Sequence, residues 1–207
     1  MNNIEAITLD VTDTAAAKAF YDKAFGLGDT LRFRQSDAPS TGFRGYILSI
    51  VTAQPGNVSA FVDAAVAAGA TVLKPITKSM WGYAGVLQAP DGSIWKVACS
   101  AKKDTAPISR TVDDLVILLG VADMAAAKKS YVEHGVTVAK SFPGMYVEFA
   151  SGAWKLALYK HKALAKEGGV AAEGTGSHRI ALTGTGPSFT DPDGYAWQST
   201  ESVSPTA

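Results

Sequence analysis

Two stretches of the chain carry the same short pattern, "APDGSIWKV" at residues 89–97 and "TDPDGYAWQS" at 190–199. Each runs Pro-Asp-Gly, two residues, Trp, and then a polar side chain: Lys96 in the first and Gln198 in the second. A lysine ammonium offers donors and no lone pair, whereas a glutamine amide offers both donors and an acceptor oxygen. The remaining groups with chemical potential are few. His178, in "SHRIAL", is read as a hydrogen-bonded structural imidazole, with metal ligation after a one-residue bulge as the alternative. His134 precedes Gly135 at the end of a helical segment, where an imidazolium interacts favourably with the helix dipole. His161, between Lys160 and Lys162, reads as part of a solvated run. Glu148 in "YVEFA" is a strand carboxylate between aromatics, either a general base or a surface-facing residue. Cys99 has no base beside it in sequence and reads as a small buried filler. Trp81 and Tyr83 lie in the Gly-containing segment "SMWGYAG", where rings are often exposed to a cleft. Tyr46, Trp154 and Tyr159 lie on other strands and face either core or cavity. Several aromatics around an apolar cavity with a few polar groups describe a small-molecule pocket.

These residues need a scaffold, and the sequence repeats one. "ITLDVTDTAAAKAFY" (7–21) aligns without gaps with "ILLGVADMAAAKKSY" (117–131). In each, an apolar run ends at an aspartate, Asp13 or Asp123, and an Ala-rich segment follows to Tyr21 or Tyr131. Alternating Ile7, Leu9 and Val11 predict a half-buried strand. The aspartates are well placed to cap the first turn of a helix, where a carboxylate accepts from free N–H groups. Residues 1–100 and 109–203 are therefore read as two copies of one domain, joined by "SAKKDTAPIS". In the first copy, "YILSIVTA" predicts a strand and "NVSAFVDAAVAAG" a helix capped by Asn57, with Val58, Phe61, Val62, Ala65 and Val66 as its apolar stripe. Gly69 then fits the position just past the helix end. Strands follow at "TVLKPIT", "YAGVLQA" and "IWKVA". In the second copy "VTVAK", "MYVEFAS", "WKLALYKHKALA" and "HRIALTG" read as strands, and "EGGVAAEGTGS" as a glycine-rich loop. Helices on one side of curled, mostly antiparallel sheets make an α+β fold.

Composition narrows the classes. Apolar residues make up 47% and charged residues 18%, enough to bury a sizeable core. Nineteen basic and nineteen acidic residues balance, which argues against a nucleic-acid or membrane-surface partner. A single cysteine excludes an internal disulfide and fits a reducing compartment. The N-terminus lacks a signal-peptide pattern and no apolar run approaches bilayer length, so the expectation is a soluble cytoplasmic protein, monomer or homodimer.

A strand ending in Asp, a helix ending near Phe-Tyr, and a closing Asp-Pro-Asp-Gly-x-x-Trp strand together resemble the vicinal oxygen chelate superfamily. That superfamily includes glyoxalases, bleomycin-resistance proteins and extradiol dioxygenases. The resemblance covers nearly the whole chain. It implies tandem βαβββ-type units forming two curved, barrel-like sheets with helices outside. It also implies, in metal-dependent members, a His seven residues before the capping Asp, a matching His or Gln on the partner unit, and a Glu directly after the closing aromatic. Such N and O ligands leave open positions where two substrate oxygens chelate a divalent ion. At the implied positions this chain has Ala6 and Val116 for the histidines, and Lys96 and Gln198 for the carboxylate. Matching Ile180-Ala181-Leu182 to Ile7-Thr8-Leu9 makes Arg179 the inward residue of the penultimate strand, and the corresponding position of the first copy falls near Ser49 or Ile50.

The resemblance thus leads to a glyoxalase/bleomycin-resistance-like protein with a degenerate metal site, needing no cofactor or metal and binding a small organic molecule. The alternative is a glyoxalase-type lyase or isomerase with a relocated metal or none, and whether the chain catalyses anything is left open. A dioxygenase would need two histidines and a carboxylate around iron, which the family positions do not supply. The expected ligand-binding residues are Trp81, Tyr83, Lys96, Arg179, Tyr159 and Gln198. The two cations suggest a ligand with an acidic or carbonyl oxygen.

Overall fold

The computed structural model describes residues 3–150 and 152–200. Strand β1 (Ile4–Val11) leads into helix α1 (Thr14–Phe25), and β8 (Asp114–Val121) leads into α3 (Met124–Glu133). The caps form as the aspartates predict. Asp13 accepts from the Ala16 amide at 2.9 Å, and Asp123 from the Ala125 and Ala126 amides at 2.8 and 3.1 Å. Between them lie β2 (Leu31–Gln35), β3 (Ser40–Gly42), β4 (Tyr46–Val51), α2 (Pro55–Ala67), β5 (Thr71–Ser79), β6 (Gly82–Gln88) and β7 (Ile94–Cys99). After α3 come β9 (Thr137–Phe142), β10 (Tyr146–Ala150), β11 (Lys155–Lys160), α4 (His161–Gly168), β12 (Gly174–Gly176), β13 (Ile180–Gly184), β14 (Phe189–Thr190) and β15 (Ala196–Ser199).

Three local expectations change. Helix α2 starts at Pro55 with Gln54 at the cap, because proline suits the first helical position. Asn57 instead lies in the first turn, accepting from the Ser109 amide at 2.9 Å. The segment "WKLALYKHKALA" is only half strand, since residues from His161 on form α4. The joining segment is also tied down: Gln54 Oε1 accepts from the Thr105 and Ala106 amides, and Asp104 from the Gly56 amide.

The strands form two open sheets and a small ribbon. One sheet has the order β14-β15-β13-β1-β2 and the other β5-β6-β7-β4-β8-β11-β10-β9, while β12 pairs with β3. Neither large sheet closes into a barrel, and neither belongs to one half of the chain. Antiparallel β4–β8 pairing joins the halves in the eight-stranded sheet, and antiparallel β1–β13 pairing joins them in the five-stranded one. The eight-stranded sheet is two complete βαβββ units, β4-α2-β5-β6-β7 and β8-α3-β9-β10-β11, set edge to edge. The five-stranded sheet combines the outer, shorter units of the two halves.

Alternation along the central strands separates two faces. Leu48, Ile50, Trp95, Val97, Ile117, Leu119, Leu156 and Leu158 join the main core with β1, α1, α2 and α3. Ile47, Ile94, Leu118 and Ala157 face the other way and meet Leu164 and Ala165 of α4. This second surface, the inner face, carries the candidate site. Among the described residues no helix is long and apolar enough to cross a membrane.

Candidate functional site

A cavity of about 530 Å³ opens on the inner face of the eight-stranded sheet. Its wall includes Trp81, Tyr83, Lys96 and Tyr159, with Lys74 and Glu167. Four of the six residues expected to bind ligand are therefore neighbours here, drawn from β5–β6, β7 and β11. Trp81 is largely exposed at the β5–β6 tip. That tip is held by its own hydrogen bonds: the Trp81 amide donates to Ser79 Oγ, and Lys102 Nζ donates to the Ser79 and Met80 carbonyls. Tyr46 and Trp154, left between core and cavity by the sequence, are fully buried in the core.

Lys96 does not stand bare. Its Nζ donates to Glu167 Oε1 at 2.5 Å, from the last turn of α4. Burial works to raise the Glu167 carboxyl, but the hydrogen bond and charge of Lys96, with Lys74 nearby, outweigh it and hold the group below its ordinary value. Lys74 donates to the Lys166 carbonyl, a second tie between sheet and α4. Burial pushes the Tyr159 phenol up, reinforced by the charges of Glu167 and Glu148. Farther along the same face, Tyr146 donates to Glu148 Oε2 at 2.5 Å and its ring meets that of Tyr159 edge-on.

Strand register shows what stands at the ligand positions implied by the sequence resemblance. Lys96 pairs with Ser49, Ser49 with Val116, and Val116 with Lys155, one row across β7-β4-β8-β11. The first-copy position is thus Ser49 rather than Ile50. Lys155 was not singled out from the sequence, although Trp154-Lys155 repeats the dipeptide Trp95-Lys96. Glu167 was also missed, because its segment read as strand and loop. In the five-stranded sheet the corresponding row is Ala6–Thr183–Gln198. Thr183 is fully buried, and among the described residues its hydroxyl has no hydrogen-bond partner. Two lysines, a serine and a valine in one row, and an alanine, a threonine and a glutamine in the other, do not fit a divalent ion. Among the described residues no group of three or more His, Cys, Asp or Glu side chains is placed to hold a metal.

Arg179 and Gln198 lie apart from the Lys96 cavity. The antiparallel β1–β13 register sets Thr183, not Arg179, opposite Ala6. Arg179 precedes β13 with φ at 56°, a left-handed conformation uncommon for a long side chain. Its guanidinium donates to the Asp10 and Ser36 carbonyls, so it clamps the ends of β1 and β2 instead of entering a cup. The histidines are likewise engaged with backbone carbonyls. His178 bridges the Arg44 and Asp193 carbonyls, stacked on Tyr195. His134 bonds to the Ser130 carbonyl, and His161, half-buried rather than solvated, to the Ala172 carbonyl.

No protein-family model matches the chain, and no curated protein sequence matches it. Solved structures do. Glyoxalase I from Zea mays aligns with a TM-score of 0.59 at 13% identity, over 95% of this chain and 91% of that one. A mutant form of the maize enzyme gives 0.60 over 96% and 92%. A putative dioxygenase from Bacillus subtilis aligns with a TM-score of 0.54 at 12% identity, over 88% of this chain and 69% of that one. With paired βαβββ units, two curved open sheets and this likeness over nearly the whole chain, the fold is that of glyoxalase I.

Proposed function

We propose that the protein binds a small organic molecule in the inner-face cavity of the eight-stranded sheet, without a metal at the inherited positions. The observation that carries this reading is the convergence of Trp81, Tyr83, Tyr159 and Lys96 on one space of about 530 Å³. That volume lies within the range of ligand pockets, and rings with a few polar groups are the usual lining. Lysines in two places of the central row support a metal-free role, because each repels a cation. The lone, buried Cys99 supports residence in a reducing compartment such as the cytoplasm.

The test is fluorescence quenching and calorimetry with a panel of aromatic and aliphatic compounds. Trp81→Ala and Tyr83→Ala should each weaken the best binder about tenfold, the effect of losing one stacked ring worth about 1.4 kcal/mol. Equal affinity in wild type and both variants would place any ligand elsewhere.

A second reading, a proton-transferring lyase or isomerase, is favoured by one feature. Tyr146 and Glu148 form a hydrogen-bonded acid–base pair on the same inner face. Fold likeness alone does not choose between them, since one fold hosts many chemistries.

A further inference from the structure

We propose that Glu167 is a built-in occupant of an anion position on Lys96, and that the cavity's ligand is an aromatic carboxylate that takes its place. This rests on the binding reading above and specifies the ligand class. The two lysines of the central row are paired in different ways. Lys155 is matched from within the sheet, by Asp114 of the adjoining strand β8, 2.7 Å away. Lys96 has no such neighbour: its register partners are Ser49 on β4 and Val86 on β6. Its carboxylate arrives instead from α4, an eight-residue helix outside the sheet.

That helix is suited to letting go. Its first turn has no side-chain cap, and it ends at Gly168–Gly169, where Gly169 adopts a φ of 73°. The Glu167 side chain is 43% exposed, so a displaced carboxylate swings into water rather than into the apolar interior. Leu164 and Ala165 keep the helix seated on Ile47, Leu118 and Ala157 during the exchange. The cavity also contains a second ammonium, Lys74, against the single carboxylate of Glu167. The lining therefore carries net positive charge and favours an anion, and a carboxylate is the group already shown to fit Lys96. Tyr159 and Trp81 in the same wall supply surfaces for a ring.

The experiment titrates 2-naphthoate and its neutral isostere 2-naphthamide into wild type, Glu167→Gln and Lys96→Gln by calorimetry. Glu167→Gln retains the size of the side chain and removes the competing charge. It should tighten naphthoate binding by roughly fivefold, as expected for loss of a partly exposed ion pair worth about 1 kcal/mol. It should leave naphthamide unchanged, and Lys96→Gln should abolish the preference for the acid. Naphthoate binding that Glu167→Gln leaves unchanged or weakens, or equal binding of acid and amide to wild type, overturns the exchange while the aromatic cavity stands. Failure of both probes to bind any of the three proteins overturns the exchange together with the binding reading. Circular dichroism of Glu167→Gln separates a lost fold from a lost competitor, and the intact-fold result is the one expected, since the changed side chain is near the surface.

Discussion

Tyr21 and Tyr131 occupy equivalent places in the repeat, and each ties its helix to a Pro-Asp-Gly turn. Tyr21 donates to Asp91 at 2.8 Å and Tyr131 to Asp191 at 3.0 Å. The partners are not equivalent: Asp91 follows its proline, whereas Asp191 precedes Pro192. The turns themselves match, with Ala89 to Ser93 and Asp191 to Tyr195 bonded alike and glycines of positive φ at Gly92 and Gly194. The same tether is thus made from two different aspartates. Burial, and then the neighbouring carboxylate, push both phenols well above their ordinary range, which favours the protonated, donating form. Tyr21 also accepts from Trp95 Nε1 at 3.3 Å. Removing a hydroxyl bonded to a carboxylate costs about 1.5–3 kcal/mol. Tyr21→Phe should be the costlier substitution in urea unfolding, because it also orphans the buried indole N–H. Equal or negligible losses, below about 0.5 kcal/mol, would show that the tethers contribute little.

Helix α4 is the element that distinguishes the inner face. It packs on β4, β7, β8 and β11. Two polar ties, Lys96 to Glu167 and Lys74 to the Lys166 carbonyl, hold its C-terminal end. Because the folded Glu167 carboxyl titrates below its unfolded value, its stabilising contribution is present above about pH 4.5 and lost as pH falls through the lower folded value. The stability difference between wild type and Glu167→Gln should therefore shrink as pH is lowered from 6 toward 3. Partial exposure limits it to about 1 kcal/mol or less. A difference that stays constant across that range, read from urea midpoints, would remove the ion pair from the account of what holds α4.

At the scale of the whole molecule, the halves exchange strands across both sheets. Residues 1–100 contribute β1 and β2 to one sheet and β4 to β7 to the other, and residues 109–203 supply the complementary strands. Trp95 and Trp154, one from each half, are both fully buried, with ring centroids 6.4 Å apart. Either half alone would expose the long edges of β4 and β1, or of β8 and β13, together with the apolar surface behind them. The intact chain should then unfold in one cooperative transition. Separately expressed fragments 1–100 and 109–203 should lack a cooperative transition and regain one on mixing. Two independent transitions in the intact chain, or a stable folded fragment, would make the halves autonomous units.

Local chemistry made much of this legible in advance. The helix caps at Asp13 and Asp123, the strands before them and the paired turns follow from residue types and spacing, because capping, alternation and turn geometry act over a few residues. Those signals, repeated, were enough for the fold class, and they named Trp81, Tyr83, Lys96 and Tyr159, which the folded chain sets around one cavity. What tertiary structure decided was partnership. Whether Lys96 shares a row with Ala6 or with Val116 depends on which strand edges pair, and the β4–β8 and β1–β13 registers set it with Ser49, Val116 and Lys155. Arg179 illustrates the same limit: an antiparallel register moved the inward position to Thr183 and left the guanidinium bonded to backbone carbonyls. Glu167, 71 residues from Lys96, gives no sign in sequence of being its partner. Periodicity records which way a side chain points along its own strand or helix, whereas charge pairing across a sheet depends on long-range packing that only the folded chain establishes.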